Sequence, residues 1–417
     1  MKLSYKKMIL SLLVLAVVCP LLTSCWDRQE LEERAVILGI SIDTVSDEAE
    51  KEESEAAHLF GKFPAPNKNM LRITAQIAIP GKIPLGPGDA AGEGGGGGSG
   101  ASEQQSTWVL EVVGHTLNDA LMNLQQQISG RIFLGHLRVI VISEEIARRG
   151  IWNLNDYLRR NSEVRRMAWL LVAKGNAKNF MMASPRLDRL PTLYLIGTLD
   201  EAVRMGKFPE DYIGMFWERS SSKGQEGYLP YVELKEAGNA EIIGIAYFRD
   251  DKMVGATKPL EIAAFMATKG NNPGGYRAMV SLDDNKQNSV TLYTTSRKSS
   301  FNVDLKNGLP RFTVQVFMEL NVEERIGYGL VIDNSKILEK LQKEFIESST
   351  KLQEDLIKQT QKHKSDIFGF GEYLRAKEPG YWDRNIGTAE KWQEMYSKVD
   401  IEVKVDAEIR RIGMKAR

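Results

Sequence analysis

Cys25 is the side chain with the most definite chemistry in this sequence. It closes the string Leu22-Thr23-Ser24-Cys25, a branched apolar residue three positions before a cysteine with two small residues between. A lipoprotein signal peptidase accepts that pattern, and its product carries a diacylglyceryl thioether on the cysteine sulfur at the new N-terminus. The residues before it agree. Lys2, Lys6 and Lys7 make a positive start, and Met8 to Leu22 is a 15-residue, almost wholly apolar run, short of the ~20 residues that a spanning helix needs. An ordinary signal peptide followed by a chance cysteine would share these first regions. Cys19 leaves with the peptide, however, so Cys25 is the one cysteine kept among the two, and no disulfide framework is available. Residues 1–24 therefore read as a lipoprotein signal peptide, and two acyl chains at ~0.8 kcal/mol per buried CH₂ suffice for stable anchoring.

Other reactive groups are sparse. His58, His115, His136 and His363 are the four histidines, no two within five residues of each other, whereas a zinc site needs three or four ligands brought together. No GxSxG occurs, and SxxK at Ser220 to Lys223 and Ser348 to Lys351 lacks the KTG and SDN partners. GEGGGGGSG, Gly92 to Gly100, contains no GxxxxGK and opens no helix, so it reads as a flexible connection and not a phosphate cradle. With 55 acidic residues, spacing alone selects no carboxylate pair for hydrolysis. No catalytic, cofactor or metal site is expected, and the chain reads as a non-enzyme.

Charge points to interaction surfaces. Lys+Arg and Asp+Glu both number 55, and the pI is near 6.9, so no global basic field exists to hold a nucleic acid. The first 24 residues carry three lysines and no acid, which leaves the remaining 393 with a formal charge of −3. Against that background Arg148, Arg149, Arg159, Arg160, Arg165 and Arg166 stand within 19 residues alongside Asp156 and Glu163, a local excess of +4. They form a possible docking surface for lipid headgroups or an acidic partner, or else a set of solvated helix ends. Trp26 follows the lipidated residue and suits interface depth, while Tyr381, Trp382 and Trp392 suit a core.

The elements that must carry these residues follow from periodicity. Ala35 to Ile42 and Leu71 to Ile79 read as strands, with solvated or flexible insertions near 44–69 and 81–105. Strands at Trp108 to Val113, Leu137 to Ile142 and Met167 to Ala173 alternate with helices at Thr116 to Ile128, Ser143 to Arg149, Ile151 to Arg160 and Ala177 to Ala183, a β-α-β rhythm. Pro191 to Arg204 and Pro209 to Arg219 read as helices, Ser220 to Gly227 as a linker or exposed turn, and Ala240 to Val254 as a strand pair turning at Asp250-Asp251. After a short helix from Pro259 come strands at Tyr276 to Leu282, Ser289 to Thr295, Ser300 to Leu305 and Arg311 to Glu323. A long amphipathic helix over residues 335–363 and a last strand at Asp400 to Ile409 complete the chain. The expected class is α+β and multi-domain: an N-terminal mixed sheet with helices (25–205), a small middle region (206–257), and a C-terminal antiparallel sheet packed on one long helix (258–417).

Several strings fit one family. CWDRQELEERAVILGISID after the lipobox, GHTLNDAL (Gly114 to Leu121), GRIFLGHLRVIVISEEIARRGI (Gly130 to Ile151), RRMAWLLVAKG (Arg165 to Gly175), DIFGFG (Asp366 to Gly371) and EPGYW (Glu378 to Trp382) closely resemble the Ger(x)C family of spore germination lipoproteins. The resemblance implies three α/β domains and no catalytic residues. It also implies the C subunit of a nutrient germinant receptor, tethered to the outer face of the inner spore membrane, with integral-membrane A and B subunits as partners. The segments at 47–69 and 81–105 depart from the family as insertions. A lipid-anchored solute-binding protein of a transporter shares the signal and the size but needs two similar doubly wound lobes. A cell-wall hydrolase lipoprotein needs an acid/base or metal constellation.

Overall fold

The computed structural model describes residues 33–45, 70–79, 107–183, 190–236, 238–283, 288–306, 308–327 and 335–411, with the isolated positions 5 and 332. Cys25, Trp26 and His58 lie outside the described residues, as do nearly all of the two expected insertions.

The first sheet has nine strands: β1 (Arg34–Thr44), β2 (Leu71–Ala78), β3 (Thr107–Gly114), β4 (Arg131–Phe133), β5 (Val139–Ser143), β6 (Trp169–Ala173), β7 (Tyr228–Leu234), β8 (Ala240–Arg249) and β9 (Lys252–Ala256). Their order is β3-β2-β1-β5-β6-β7-β8-β9, with β4 also pairing β1. The centre, β1-β5-β6-β7, is parallel, and antiparallel pairs close both ends. Central parallel strands must be covered on both faces, and the side chains divide accordingly. Ile140, Ile142, Leu170 and Val172 join the core under α1 (Leu117–Gln125), α2 (Glu144–Arg149), α3 (Trp152–Arg160) and α6 (Ile213–Ser220). Val139, Val141, Trp169 and Leu171 join the opposite core under α4 (Lys178–Met182) and α5 (Pro191–Arg204).

Polar side chains at the start of these helices account for backbone groups that would otherwise be unpaired. Asp43, at the end of β1, accepts from the N–H groups of Ala177 (2.7 Å) and Lys178 (2.9 Å). In the GHTLNDAL string, Thr116 accepts from the Asp119 N–H at 3.1 Å, while Asp119 accepts from the His115 N–H at 2.8 Å. Ser143 accepts in the same way from the Ile146 N–H that opens α2.

The second sheet has the order β10 (Arg277–Ser281), β11 (Ser289–Lys306), β12 (Leu309–Ile326) and β13 (Asp400–Arg411). Along β12, Phe312, Val314, Val316, Met318 and Leu320 alternate inward at the strand period. Two helices cover that face: α7 (Pro259–Thr268) and the 28-residue α8 (Ser335–Lys362), whose buried stripe includes Leu341, Phe345, Leu356 and Ile357.

Four expectations need correction. Residues 206–257 are not a unit of their own, because β7, β8 and β9 complete the first sheet: Tyr231 and Val232 find parallel partners on β6, and burial of both faces leaves no independent core. The helix expected from Pro209 starts at Ile213, since Asp211 turns inward to pair with Arg219 and Tyr212 stays extended. The strands expected at Ser289 to Thr295 and Ser300 to Leu305 are the single strand β11, which crosses a register shift between Thr294 and Ser296. Finally, the second sheet is antiparallel only through β10-β11-β12. β13 runs parallel to β12, because the chain between them returns through α8, α9 (Phe370–Lys377), α10 (Pro379–Asn385) and α11 (Ala389–Tyr396), three further helices that the sequence reading left unassigned.

The stripe on α8 makes a stability prediction. Leu341 is fully buried and Lys343 is exposed, so Leu341→Ala costs about 2–5 kcal/mol and Lys343→Ala stays within about 0.5 kcal/mol. Urea denaturation of the two variants measures both, and equal losses would remove α8 from the core.

Candidate interaction surface

The six arginines occupy two helix ends and one loop. Arg148 and Arg149 end α2, and Arg159 and Arg160 end α3, where cations complement the helix dipole. Arg148 pairs with Glu144 at 2.7 Å and Arg160 with Asp156 at 2.8 Å, each one helical turn away. Arg159 donates to the Trp217 carbonyl at 2.7 Å and to the Ser221 hydroxyl at 2.6 Å, with its guanidinium over the Trp217 ring. Arg149 is half-buried, and that burial lowers its guanidinium pKa. Arg165 and Arg166 sit in the loop before β6, exposed, with no ion-pair partner among the described residues. Four of the six thus serve local structure, and two remain as an open basic pair.

A second constellation, which sequence reasoning missed, lies where the two sheets meet. Ser220 to Gly227 is not an exposed linker: Gly224, Glu226 and Gly227 are buried against the DIFGFG loop. In that loop Asp366, 1 % exposed, accepts on one carboxylate oxygen from the N–H groups of Phe368 (3.2 Å) and Gly369 (2.8 Å). Its other oxygen accepts from the Gly371 N–H (2.9 Å) and the Trp392 indole N–H (3.1 Å). Gly369 has φ +84°, the left-handed region, and a Cβ on Gly371 would come within 2.5 Å of the Trp392 ring and 2.6 Å of the Gly224 carbonyl. Both glycines are therefore dictated by geometry. The loop is tied across to the first sheet's connections, with the Glu226 N–H donating to the Asp366 carbonyl at 2.8 Å and the Glu372 N–H to the Gly224 carbonyl at 3.0 Å.

Beside it, Glu226 accepts from the Gln393 amide at 2.7 Å and from the Asp250 N–H at 2.9 Å, and the same Gln393 amide reaches the Asp250 carboxylate at 2.8 Å. Burial disfavours the charged forms, pushing Asp366 up to about 6 and Glu226 up to about 8. His363, at the end of α8, stands 2.8 Å from the Tyr247 hydroxyl of β8. The signals available in the sequence were the paired glycines of DIFGFG, met only as a family string, and the Gly-Gln-Glu-Gly run, which reads as an exposed turn because a partner such as Glu372 lies 148 residues away.

Among the described residues no group of three or more His, Cys, Asp or Glu gathers to hold a metal. Tyr381 is half-buried and donates to the Gly308 carbonyl, while Trp382 and Trp392 are in the core with ring centroids 5.8 Å apart. The motif-bearing segments are thus scaffold. Residues 27–234 match the family model described as spore germination protein N-terminal domain, and residues 243–413 match the spore germination B3/GerAC-like C-terminal model. The chain belongs to the Ger(x)C family of spore germination proteins. The limit between the two Ger(x)C models falls at the β7–β8 hairpin, inside the first sheet, so the C-terminal model reaches back to include two strands of that sheet.

Curated Ger(x)C relatives include spore germination protein KC of Bacillus subtilis (strain 168), 25% identical over 98% of this chain and 97% of the relative. Spore germination protein GerQC of Bacillus cereus is 23% identical over 74% of this chain and 83% of its own length. The crystal structure of the GerBC protein superposes with a TM-score of 0.54 at 18% identity, covering 83% of this chain and 96% of that one; the two share the fold.

The junction makes a pH prediction. Glu226 has a folded-state pKa raised from 4.5 to about 8, so its contribution to stability is full below about 4.5 and is lost as pH rises to about 8, on the order of 4 kcal/mol across that window. Denaturant unfolding at pH 5 and pH 8 measures the drop. In Glu226→Gln the pH-dependent part shrinks, although the variant starts less stable because one acceptor oxygen then serves where two accept from the Asp250 N–H and the Gln393 amide. An unchanged pH slope in that variant would show that Glu226 does not carry it.

Proposed function

We propose that the protein is the C subunit of a nutrient germinant receptor, held by acylated Cys25 on the outer face of the inner spore membrane, and that it acts by assembly with integral-membrane A and B subunits and not by catalysis. The observation that carries this reading is the pair of Ger(x)C models that span both sheets in tandem behind a lipobox. No helix among the described residues is long and apolar enough to cross a membrane; in this reading the attachment is the acyl chains on Cys25. Buried carboxylates at Asp43, Asp211, Glu226 and Asp366 are engaged in caps, an ion pair and the junction, which suits a scaffold that presents surfaces. The alternative of a solute-binding protein is disfavoured by a specific feature: the two halves are a nine-stranded and a four-stranded sheet of different topology, not two similar lobes around a cleft.

Two experiments test the reading. Cys25→Ala should remove the mature protein from the spore membrane fraction while the rest of the chain folds; a variant still membrane-bound in normal amount would defeat anchoring through the thioether. For assembly, the open pair is the place to intervene. Exposed charge reversals usually stay within about 0.5 kcal/mol, so Arg165→Glu with Arg166→Glu should fold, reduce co-purification of the A and B subunits from solubilised spore membranes, and slow nutrient-triggered germination. Unchanged recovery and an unchanged response would return Arg165 and Arg166 to solvated surface and leave the arginine cluster without an assembly role.

A further inference from the structure

A cavity of about 440 Å³ lies between α7, β10 and α8, with its floor on β11 and β12. Its volume falls within the range of small-molecule sites, which are apolar with a few convergent polar groups. The apolar part of the wall includes Ala263, Val280, Met318, Phe345 and Leu352, and the hydroxyl side chains of Ser348 and Ser349 line it beside them. At the mouth, Leu260 and Met279 are exposed at 56% and 66%, so the rim of the opening is apolar as well.

Arg297 lines this cavity from β11 and is 1% exposed. Backbone carbonyls hold part of the guanidinium: Nε donates to Asn271 at 2.7 Å, and Nη2 to Gly206 at 2.9 Å and Pro273 at 2.6 Å. Nη1 has no acceptor, and the side chain has no carboxylate partner, among the described residues. Burial pushes the guanidinium down to about 10, which leaves it cationic at neutral pH. A buried charge with no counter-charge is expensive, and here the unmet donor belongs to a residue that lines an apolar cavity. The neighbouring Arg277 is already taken by Glu323, at 2.5 and 2.9 Å. Glu344, half-buried on α8, adds a negative charge to the wall and so disfavours a ligand with a second anionic group.

We propose that this pocket binds a small amphipathic monocarboxylate, with its carboxylate on Arg297 and its apolar body between α7 and α8. The site is independent of membrane anchoring and of the Arg165–Arg166 pair. The test uses the lipidated chain in phospholipid nanodiscs, with empty nanodiscs as the blank, titrated calorimetrically with hexanoate, 1-hexanol and hexylamine. Hexanoate should bind saturably and at least tenfold more tightly than the alcohol or the amine. Ala263→Phe, which fills the cavity from a half-buried helix position without touching the carbonyl cage of Arg297, should weaken hexanoate at least tenfold and leave the unfolding midpoint within a few degrees. Arg297→Met should bind hexanoate and 1-hexanol equally; if that chain does not fold, Ala263→Phe decides alone. Absence of saturable hexanoate binding, equal binding of the amine, or hexanoate binding untouched by Ala263→Phe would each overturn the proposal.

Discussion

A single buried carboxylate sets the geometry at the centre of this molecule. Asp366 is enclosed, and a carboxylate removed from water must be met by donors or be protonated. Three backbone N–H groups and one indole N–H meet it. To bring the amides of Phe368, Gly369 and Gly371 onto two oxygens, the chain has to curl tightly after Asp366, which places Gly369 in the left-handed region and leaves no room for a Cβ on Gly371. The curl in turn starts α9 and seats Trp392 of α11 against the loop. It also presents the Asp366 carbonyl to Glu226 of the preceding half. That carboxylate thus fixes the start of α9 and the seat of α11, which share an aromatic core with Trp382 of α10.

The same junction makes the two sheets one packed body. Along β8, Ala246 and Phe248 belong to the core of the first sheet, while Ile245 and Tyr247 belong to the core of the second. A strand has two faces at a period of two, and here each face serves a different core. Tyr228, Tyr247 and Phe265 extend the shared apolar layer, with the rings of Tyr228 and Phe265 4.9 Å apart. A force on one sheet is therefore carried to the other through packed side chains and buried hydrogen bonds, not through a hinge. In the proposed role as a receptor subunit, such a scaffold would hold several partner-facing surfaces in fixed relation.

Electrostatics on the surface is mostly local. Arginines that cluster in sequence separate into i,i+4 pairs, a helix C-terminus docked on Trp217, and one free pair. Exposed pairs of this kind contribute little to stability, so their meaning for assembly lies in which charges are left over. The buried charges behave differently: Arg219 finds Asp211 and stacks 3.8 Å over the Tyr228 ring, whereas the Arg297 guanidinium meets backbone carbonyls alone among the described residues.

Local chemistry was legible from residues 1 to 417 taken in order. The β-α-β rhythm, the long helix at 335, the turn at Asp250-Asp251 and the burial of Trp382 and Trp392 all follow from neighbours within one turn, one strand or one apolar stripe, where period and propensity act. Family membership was legible for the same reason, because its motifs are short strings. What only the tertiary structure decided involves partners far apart in the chain. The assignment of β7 to β9 to the first sheet, the parallel pairing of β13, the burial of the polar Gly224 to Gly227 run and the pocket around Arg297 are examples. A glutamate between glycines looks like solvent-facing turn until a glutamine 167 positions later supplies its hydrogen bond, and a strand's neighbour depends on which edge is still open when the returning chain arrives. Those outcomes depend on non-local contacts and the dielectric they create, neither of which is carried by the types of adjacent residues.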